Sequence, residues 1–126
     1  MFDQLPHQPA AEHPELLGEP VRRLIHLLPD AEVFVIDPAL SDTEALCRAY
    51  GEDESTCGNC VIVRGRRGET ERTAACLALA TTRVDVNRLV RRRLDVRKCS
   101  FAPMDDAVAE SGMEYGAITP VGLPPE

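Results

Sequence analysis

The chain has 126 residues, of which 44% are hydrophobic and 4% aromatic, and its net charge is −7. This length and composition are ordinary for one globular domain with an aliphatic core, and they exclude a disordered chain. No stretch approaches the roughly 18 consecutive apolar residues that span a bilayer, and the N-terminus lacks a secretory signal. The five cysteines form no evident disulfide framework, so we expect free thiols and a cytoplasmic location.

Charge is segregated along the chain. Residues 61–100 carry eleven basic residues against four acidic ones, whereas the segments on either side are acidic. A basic segment in an acidic protein can contact a polyanion, because phosphate contacts depend on local charge. The alternative is that these arginines lie on a solvated face and pair with acids from elsewhere in the chain.

The first third of the chain begins irregularly. Residues 1–14 contain three prolines and predict an irregular leader, which precedes a domain over residues 15–126. The apolar spacing predicts an amphipathic helix from about Pro20 to Leu28. A β-rich run predicts a short strand at residues 32–37.

A second helix follows, with signals at both ends. Ser41 and Glu44 fit a capping box at its start, and Gly51 fits a left-handed cap at its end. Residues 60–63 predict a buried strand, and the two glycines in residues 64–68 predict a turn.

The remaining elements are predicted as strand, helix, strand and helix. The strand covers residues 73–80, and the helix covers residues 85–94, with Asp85 as its N-cap. A short strand at residues 98–101 and a helix at residues 103–112 complete the pattern. This order predicts an α/β or α+β fold with a mixed sheet.

The motif Cys57-Gly-Asn-Cys60 has the spacing of a redox dithiol or of half a zinc site. A structural zinc site needs four ligands, and the sequence has no second closely spaced cysteine pair. A redox site would open a helix, but Cys60 begins a predicted strand. We therefore expect ordinary free cysteines without a metal, and Cys60 and Cys76 in the core.

The segment Tyr115 to Gly122 combines glycine and proline in a way that can form a binding loop. Gly116 permits a positive φ and a close approach of a ligand to the backbone, while Pro120 stiffens the turn. All three histidines lie in the first 26 residues, so catalysis here would depend on backbone donors rather than on a histidine triad. A plain glycine and proline turn is the alternative.

Gly116-Ala-Ile-Thr-Pro120 resembles the Gly-x-x-x-Pro substrate loop of the YbaK/EbsC-type aminoacyl-tRNA deacylases, the prolyl-tRNA editing family. The flanking residues 112–116 and 121–124 are also similar, and so are residues 84–105. The resemblance implies a mixed, barrel-like sheet flanked by helices, here without the family's C-terminal strand and helix. It also implies hydrolysis of mischarged aminoacyl-tRNA without a metal or an organic cofactor.

The resemblance further implies roles for individual residues and partners. The implied catalytic residues are Gly116, Thr119 and Pro120. The implied substrate contacts are Tyr115, Ala117 and Ile118. The arginine-rich helix and the residue after it supply the expected tRNA contacts, Arg88, Arg91, Arg92 and Lys98. Expected partners are mischarged tRNA, an aminoacyl-tRNA synthetase and a second copy covering an exposed sheet edge, with no membrane.

One family position differs in this sequence. The family commonly has a lysine just before the strand that matches residues 59–63, whereas the sequence here is Ser55-Thr-Cys-Gly-Asn59. Arg64 is a candidate to supply that charge, although arginine and lysine differ in geometry and hydration. The alternative function is therefore a non-catalytic relative that binds tRNA or a protein through the same pocket and the arginine-rich helix.

Overall fold

A computed structural model of the protein describes residues 1–125 and confirms the α+β fold class. The helices in these residues are α1 (Glu19–Leu24), α2 (Thr43–Tyr50), α3 (Arg91–Arg93) and α4 (Met104–Ser111). The strands are β1 (Gln8–Pro9), β2 (Glu32–Val33), β3 (Gly58–Arg67), β4 (Thr70–Leu79) and β5 (Lys98–Phe101). A π-helical turn at Val86–Val90 leads directly into α3.

Both sheets in the described part of the chain are antiparallel, and neither closes into a barrel. β1 pairs with β2, while β3 lies between β4 and β5 in the larger sheet. This differs from the predicted mixed, barrel-like sheet. A tight hairpin joins β3 to β4 and makes them antiparallel, β5 also runs opposite to β3, and three strands are too few to close a barrel.

The hairpin of β3 and β4 is longer than predicted, and the predicted turn at residues 64–68 is wrong. β3 continues to Arg67, and the chain reverses at Gly68, which has a φ of 61°. Gly65 lies inside the strand, where an added Cβ would be 2.3 Å from Val96 Cγ2. This glycine therefore allows the segment after α3 to pack closely on the strand.

α2 begins with a different cap from the predicted one. Asp42 is the N-cap, and its carboxylate accepts a hydrogen bond from the Ala45 amide at 3.0 Å. Ser41 has helical backbone angles, with φ −66° and ψ −19°, so it lacks the extended geometry of a capping residue. Gly51 ends α2 at a φ of 67°, as predicted.

The N-terminal third has less regular structure than its apolar pattern predicts. α1 is confirmed near Pro20 and continues as a 3-10 turn at Ile25–Leu27. The predicted strand at residues 32–37 is shorter, because only Glu32–Val33 pairs with β1. The side chain of Val35 is largely exposed.

One part of the core joins the N-terminus to α2. Phe2, Cys47 and Cys57 form a buried cluster, and the Phe2 ring lies 5.4 Å from the Phe34 ring and 6.4 Å from the Tyr50 ring. Phe2 belongs to the predicted leader, which therefore contributes to the core. The domain division after residue 14 stays a prediction.

The other part of the core lies against the larger sheet. Side chains alternate between the two faces of a strand, so Val63, Gly65 and Arg67 share one face of β3 and Arg64 lies on the other. Val63 is fully buried, and Val96 is buried where it contacts Gly65. Within the described residues, no helix is both long and apolar enough to cross a membrane.

Candidate functional site

The segment that follows α4, residues 113–121, is called the Gly116 loop below. Gly112 ends α4 at a φ of 68°, as predicted, and Met113 is buried directly after it. The loop then returns to the surface, where the side chain of Tyr115 is 66% exposed. The buried start anchors the loop and leaves its middle accessible to a ligand.

Gly116 has two reasons to be a glycine. Its φ is 80°, in the left-handed region that glycine adopts without strain. An added Cβ would also lie 2.7 Å from the Cβ of Ser41 and 3.2 Å from its hydroxyl oxygen. The absence of a side chain therefore lets the loop pack against the residue before the α2 cap.

Hydrogen bonds within the loop involve alternate backbone amides. The Ala117 amide donates to the Glu114 carbonyl at 3.0 Å, and the Thr119 amide lies 3.4 Å from the sulfur of Met113. The Val121 amide donates to the Thr119 hydroxyl at 3.3 Å. Among the described residues, four amides of the loop have no acceptor, those of Glu114, Tyr115, Gly116 and Ile118. Those four amides are the donors that the loop can offer to a ligand.

The loop lies near two other elements that are distant in sequence. Gly116 contacts Ser41, and Thr43, two residues further along, donates its hydroxyl hydrogen to Asn59 Oδ1 at 2.5 Å. Asn59 stands at the start of β3, the region where the family commonly has a lysine. The site thus combines backbone donors with neutral hydroxyl and amide groups.

Two of the histidines bind carboxylates in the N-terminal segment. His7 Nδ1 lies 2.8 Å from Glu32, and His13 Nδ1 lies 2.9 Å from Glu15. Both contacts lie within residues 1–32, far along the chain from the Gly116 loop. The hydroxyls of Ser41 and Thr43 are weak bases at neutral pH, so the site can act mainly by positioning and by hydrogen bonding to a carbonyl oxygen.

Arginines also line an open cleft of about 470 Å³ beside α3. Three of them, Arg88, Arg91 and Arg92, are predicted tRNA contacts. The cleft adds Arg67 and Arg97, which were not among the contacts predicted from the sequence. Arg67 is missed because it falls in the incorrectly predicted turn. If β3 is extended to residue 67, the alternation of side chains along the strand places Arg67 on the same face as Val63.

A single carboxylate residue, Asp95, lines this cleft among the described residues. Arg67 donates to its carboxylate at 2.7 Å and to its carbonyl at 2.9 Å. Within residues 1–125, Arg88, Arg91, Arg92 and Arg97 form no ion pair. The alternative of arginines neutralised by acids therefore does not describe these four side chains.

The remaining predicted tRNA contact, Lys98, lies elsewhere. Lys98 pairs with Arg66 across the sheet, so it lies on the face opposite Arg67. It is exposed there and does not line the cleft. The structure thus brings three of the four predicted contacts together and separates the fourth from them.

Arg64 does not replace the family lysine. Its guanidinium donates to Asp106 at 2.9 Å and to Glu110, and its Nε lies 3.5 Å from Glu71. The hydrogen bond to Asp106, then the hydrogen bond to Glu110 and the charges of Glu110 and Glu71, raise the pKa of Arg64 above its usual range. Its charge is compensated by these acids, and it lies five residues along β3 from Asn59, a distance of roughly 16 Å.

The two cysteines of the Cys57-x-x-Cys60 motif have different surroundings. Cys57 is buried with its sulfur 3.5 Å from that of Cys47, whereas Cys60 is half-buried in β3. The cysteines of the core are therefore Cys47 and Cys57. The prediction that Cys60 and Cys76 lie in the core is wrong, because these two residues belong to a sheet that is only partly covered. Burial raises the pKa of the Cys47 thiol to about 11.

The described residues contain no group of three or more His, Cys, Asp or Glu side chains arranged to hold a metal ion.

Comparison with known proteins gives one match. A family model described as an aminoacyl-tRNA editing domain matches residues 37–126. The matched region contains α2, the larger sheet, the arginine cleft and the Gly116 loop, whereas the Phe2 side of the core lies partly before it. No curated protein and no solved structure matches the chain.

Proposed function

Because the chain belongs to the aminoacyl-tRNA editing domain family, we propose that it hydrolyses mischarged aminoacyl-tRNA at the Gly116 loop. The observation that carries this proposal is the conformation of Gly116. Its positive φ and its contact with Ser41 fix a loop in which the Gly116 and Ile118 amides, like those of Glu114 and Tyr115, have no acceptor within the described chain. Such amides are suited to a carbonyl oxygen that gains negative charge.

In the proposed reaction, a water molecule attacks the carbonyl carbon of the aminoacyl ester. The bond between that carbon and the ribose oxygen breaks, and the ribose oxygen takes a proton from the water and leaves as a hydroxyl. The products are the free amino acid and uncharged tRNA. The Gly116 and Ile118 amides hydrogen-bond to the carbonyl oxygen, on which negative charge accumulates in the transition state.

The other loop residues have supporting roles in this proposal. The Thr119 hydroxyl accepts a hydrogen bond from the Val121 amide, and Pro120 between them restricts the backbone through its fixed φ angle. Tyr115 and Ala117 flank Gly116 and border the aminoacyl group. The Arg88, Arg91 and Arg92 side chains contact the tRNA backbone, and the synthetase that mischarges the tRNA is the proposed partner.

A second candidate function is binding of tRNA without hydrolysis. It is favoured by the neutral pair of Thr43 and Asn59, which occupies the region where the family commonly has a lysine. The arginine cleft does not depend on that position and would bind RNA in either case. The two functions therefore differ in ester cleavage and agree in RNA binding.

The test is deacylation of a panel of mischarged tRNAs by the unsubstituted chain and by Gly116→Ala. We expect one or more esters to be cleaved faster than in buffer. We also expect Gly116→Ala to slow cleavage by at least about tenfold, because the new Cβ displaces the loop from Ser41.

Gly68→Ala is the matched control. Gly68 has a φ of 61°, similar to that of Gly116, but an added Cβ there meets no atom within 4 Å. This variant has comparable backbone strain without the clash at the loop, so it should cleave at the unsubstituted rate. Equal activity of Gly116→Ala would show that the loop is not the site. RNA binding without any cleavage would favour the second function.

A further inference from the structure

We propose that Cys47 and Cys57 are a modification site, at which a peroxide oxidises the two thiols to a reversible disulfide that displaces the support of the Gly116 loop. Their sulfur atoms lie 3.5 Å apart in the core. A disulfide bond is about 2.05 Å long, so the two sulfurs must approach each other by roughly 1.5 Å. The consequence for hydrolysis rests on the proposed function, whereas the disulfide itself does not.

The other cysteines lie too far from one another to form such a bond. The backbone at Cys57 is extended and β3 begins at the next residue, so Cys60 is roughly 10 Å further along and points to the opposite face. Cys60 and Cys76 lie on opposite faces of the sheet, because their positions in the register differ by one residue. β3 separates Cys76 in β4 from Cys99 in β5, by at least about 9 Å. Disulfides join residues whose Cα atoms lie within about 7 Å, so the site is the pair of Cys47 and Cys57.

Cys57 is the thiol that reacts first with peroxide. It is 7% exposed against 1% for Cys47, and burial raises the pKa of the Cys47 thiol to about 11. The Cys57 thiolate attacks one peroxide oxygen, the bond between the two oxygens breaks, and a sulfenic acid forms on Cys57. The hydroxide that leaves takes up the proton that Cys57 released.

Cys47 then completes the disulfide. Its sulfur attacks the Cys57 sulfur, the bond between that sulfur and oxygen breaks, and the hydroxyl leaves as water with the proton of the Cys47 thiol. One peroxide molecule is thereby reduced to two water molecules, and the two thiols together lose two hydrogen atoms. The 3.5 Å contact places Cys47 ready for this second step.

The Phe2 ring controls access to the pair. Phe2 is buried in the same cluster as Cys47 and Cys57, and it belongs to the N-terminal segment. Buried thiols react slowly, so peroxide reaches Cys57 mainly when this segment opens locally. Oxidation should therefore be slow in the folded chain and faster when the segment is loosened.

The disulfide would join the two elements that support the Gly116 loop. Cys47 lies one helical turn after Thr43 in α2. Cys57 lies two residues before Asn59, which accepts the hydrogen bond of Thr43. Gly116 packs on the residue that precedes the α2 cap. Drawing the two sulfurs together therefore moves α2 against the start of β3 beneath the loop.

Thiol counting and mass spectrometry after treatment with hydrogen peroxide test the disulfide. The unsubstituted chain should retain three of its five thiols, and dithiothreitol should restore the other two. Trypsin cleaves after arginine, so a bond between Cys47 and Cys57 links residues 24–48 to residues 49–64. A bond between Cys57 and Cys60 would remain within residues 49–64 and would overturn the proposal. Sulfinic acid without a disulfide would overturn it as well.

Substitutions test the pairing and the shielding separately. Cys47→Ser should prevent the disulfide, whereas the matched control Cys60→Ser should still form it. Phe2→Ala should accelerate oxidation by at least about tenfold, because it loosens the segment that covers the thiols. Leu27→Ala, at an exposed position, should leave the rate unchanged. Loss of the disulfide in Cys60→Ser would contradict the pairing, and equal oxidation rates for Phe2→Ala and Leu27→Ala would contradict the shielding.

Nuclear magnetic resonance of the isotope-labelled chain tests the link to the loop without requiring hydrolysis. Oxidation should shift the amide resonance of Gly116 and leave that of Gly68, in the β3–β4 turn, in place. An unshifted Gly116 resonance would overturn the link.

Ester cleavage separates this inference from the proposed function. The oxidised chain should cleave at least about tenfold more slowly than the reduced chain, because small displacements of a positioned group are costly. Equal cleavage rates in the two states would overturn the link to the loop. Absence of cleavage in both states would contradict the proposed function, while a mapped disulfide with a shifted Gly116 resonance would still support the modification site.

Discussion

Single residues decide how segments approach one another in this protein. Gly116 and Gly65 both have no room for a side chain, although only Gly116 has a positive φ. Gly65 is needed for the contact with Val96, and Gly116 for the contact with Ser41. A glycine in a sequence therefore does not reveal whether it serves a turn or a close approach, and the structure distinguishes the two.

His7 gives the protein a pH-dependent contribution to stability. Its Nδ1 lies 2.8 Å from Glu32 and its Nε2 lies 3.0 Å from the Phe2 carbonyl oxygen. The hydrogen bond to Glu32 and then the bond to Phe2 raise the pKa of His7 above 6.5. Both partners accept hydrogen, so the protonated ring satisfies both.

We predict that this contribution is fully present below pH 6.5 and is lost as the pH rises through the raised pKa. Urea unfolding of the unsubstituted chain and of His7→Gln, on both sides of pH 6.5, measures it. The difference in unfolding free energy should be larger at the lower pH. A difference that is constant or grows with pH would contradict the prediction.

At the scale of elements, local signals in the sequence predict more than long-range ones. Asp85, Gly51 and Gly112 mark helix ends correctly, because caps depend on neighbouring residues. The end of β3 is predicted incorrectly, because two glycines nearby give the same turn signal. The Gly-x-x-x-Pro motif identifies the loop. The position of the loop near Thr43 and Asn59 could not be predicted, because it depends on contacts between segments that are distant in sequence.

The N-terminal segment should stabilise the fold through Phe2. Removing its buried ring leaves a cavity beside Cys47 and Cys57, so Phe2→Ala should cost about 3 kcal/mol of unfolding free energy. Leu27→Ala is the control, because Leu27 is 64% exposed and should cost less than about 0.5 kcal/mol. Equal urea midpoints for both variants would instead support an independent leader over residues 1–14.

At the scale of the whole molecule, the larger sheet leaves apolar surface exposed. Leu77 and Leu79 lie two residues apart on one face of the edge strand β4, and they are 66% and 52% exposed. Exposed apolar edges favour association with another chain. We therefore propose that a second copy covers this edge.

Light scattering after gel filtration tests the proposed dimer. The unsubstituted chain should elute as a dimer, and Leu77→Lys with Leu79→Lys should elute as a monomer, because two charges would be buried in the interface. Leu89→Lys is the control, since Leu89 is 56% exposed but lies in the π-helical turn. A monomeric unsubstituted chain at all concentrations would contradict the proposal.

The long β3–β4 hairpin also bears on the order of folding. Its strands are joined through Gly68 and Glu69, so pairing closes a very short loop and can begin within microseconds. The Phe2 cluster joins distant segments and should form after the folding barrier. Phe2→Ala should then accelerate unfolding and leave the folding rate nearly unchanged in stopped-flow experiments, and a slower folding phase would contradict this order. The N-terminal segment would accordingly be the first part of the core to detach when the protein opens.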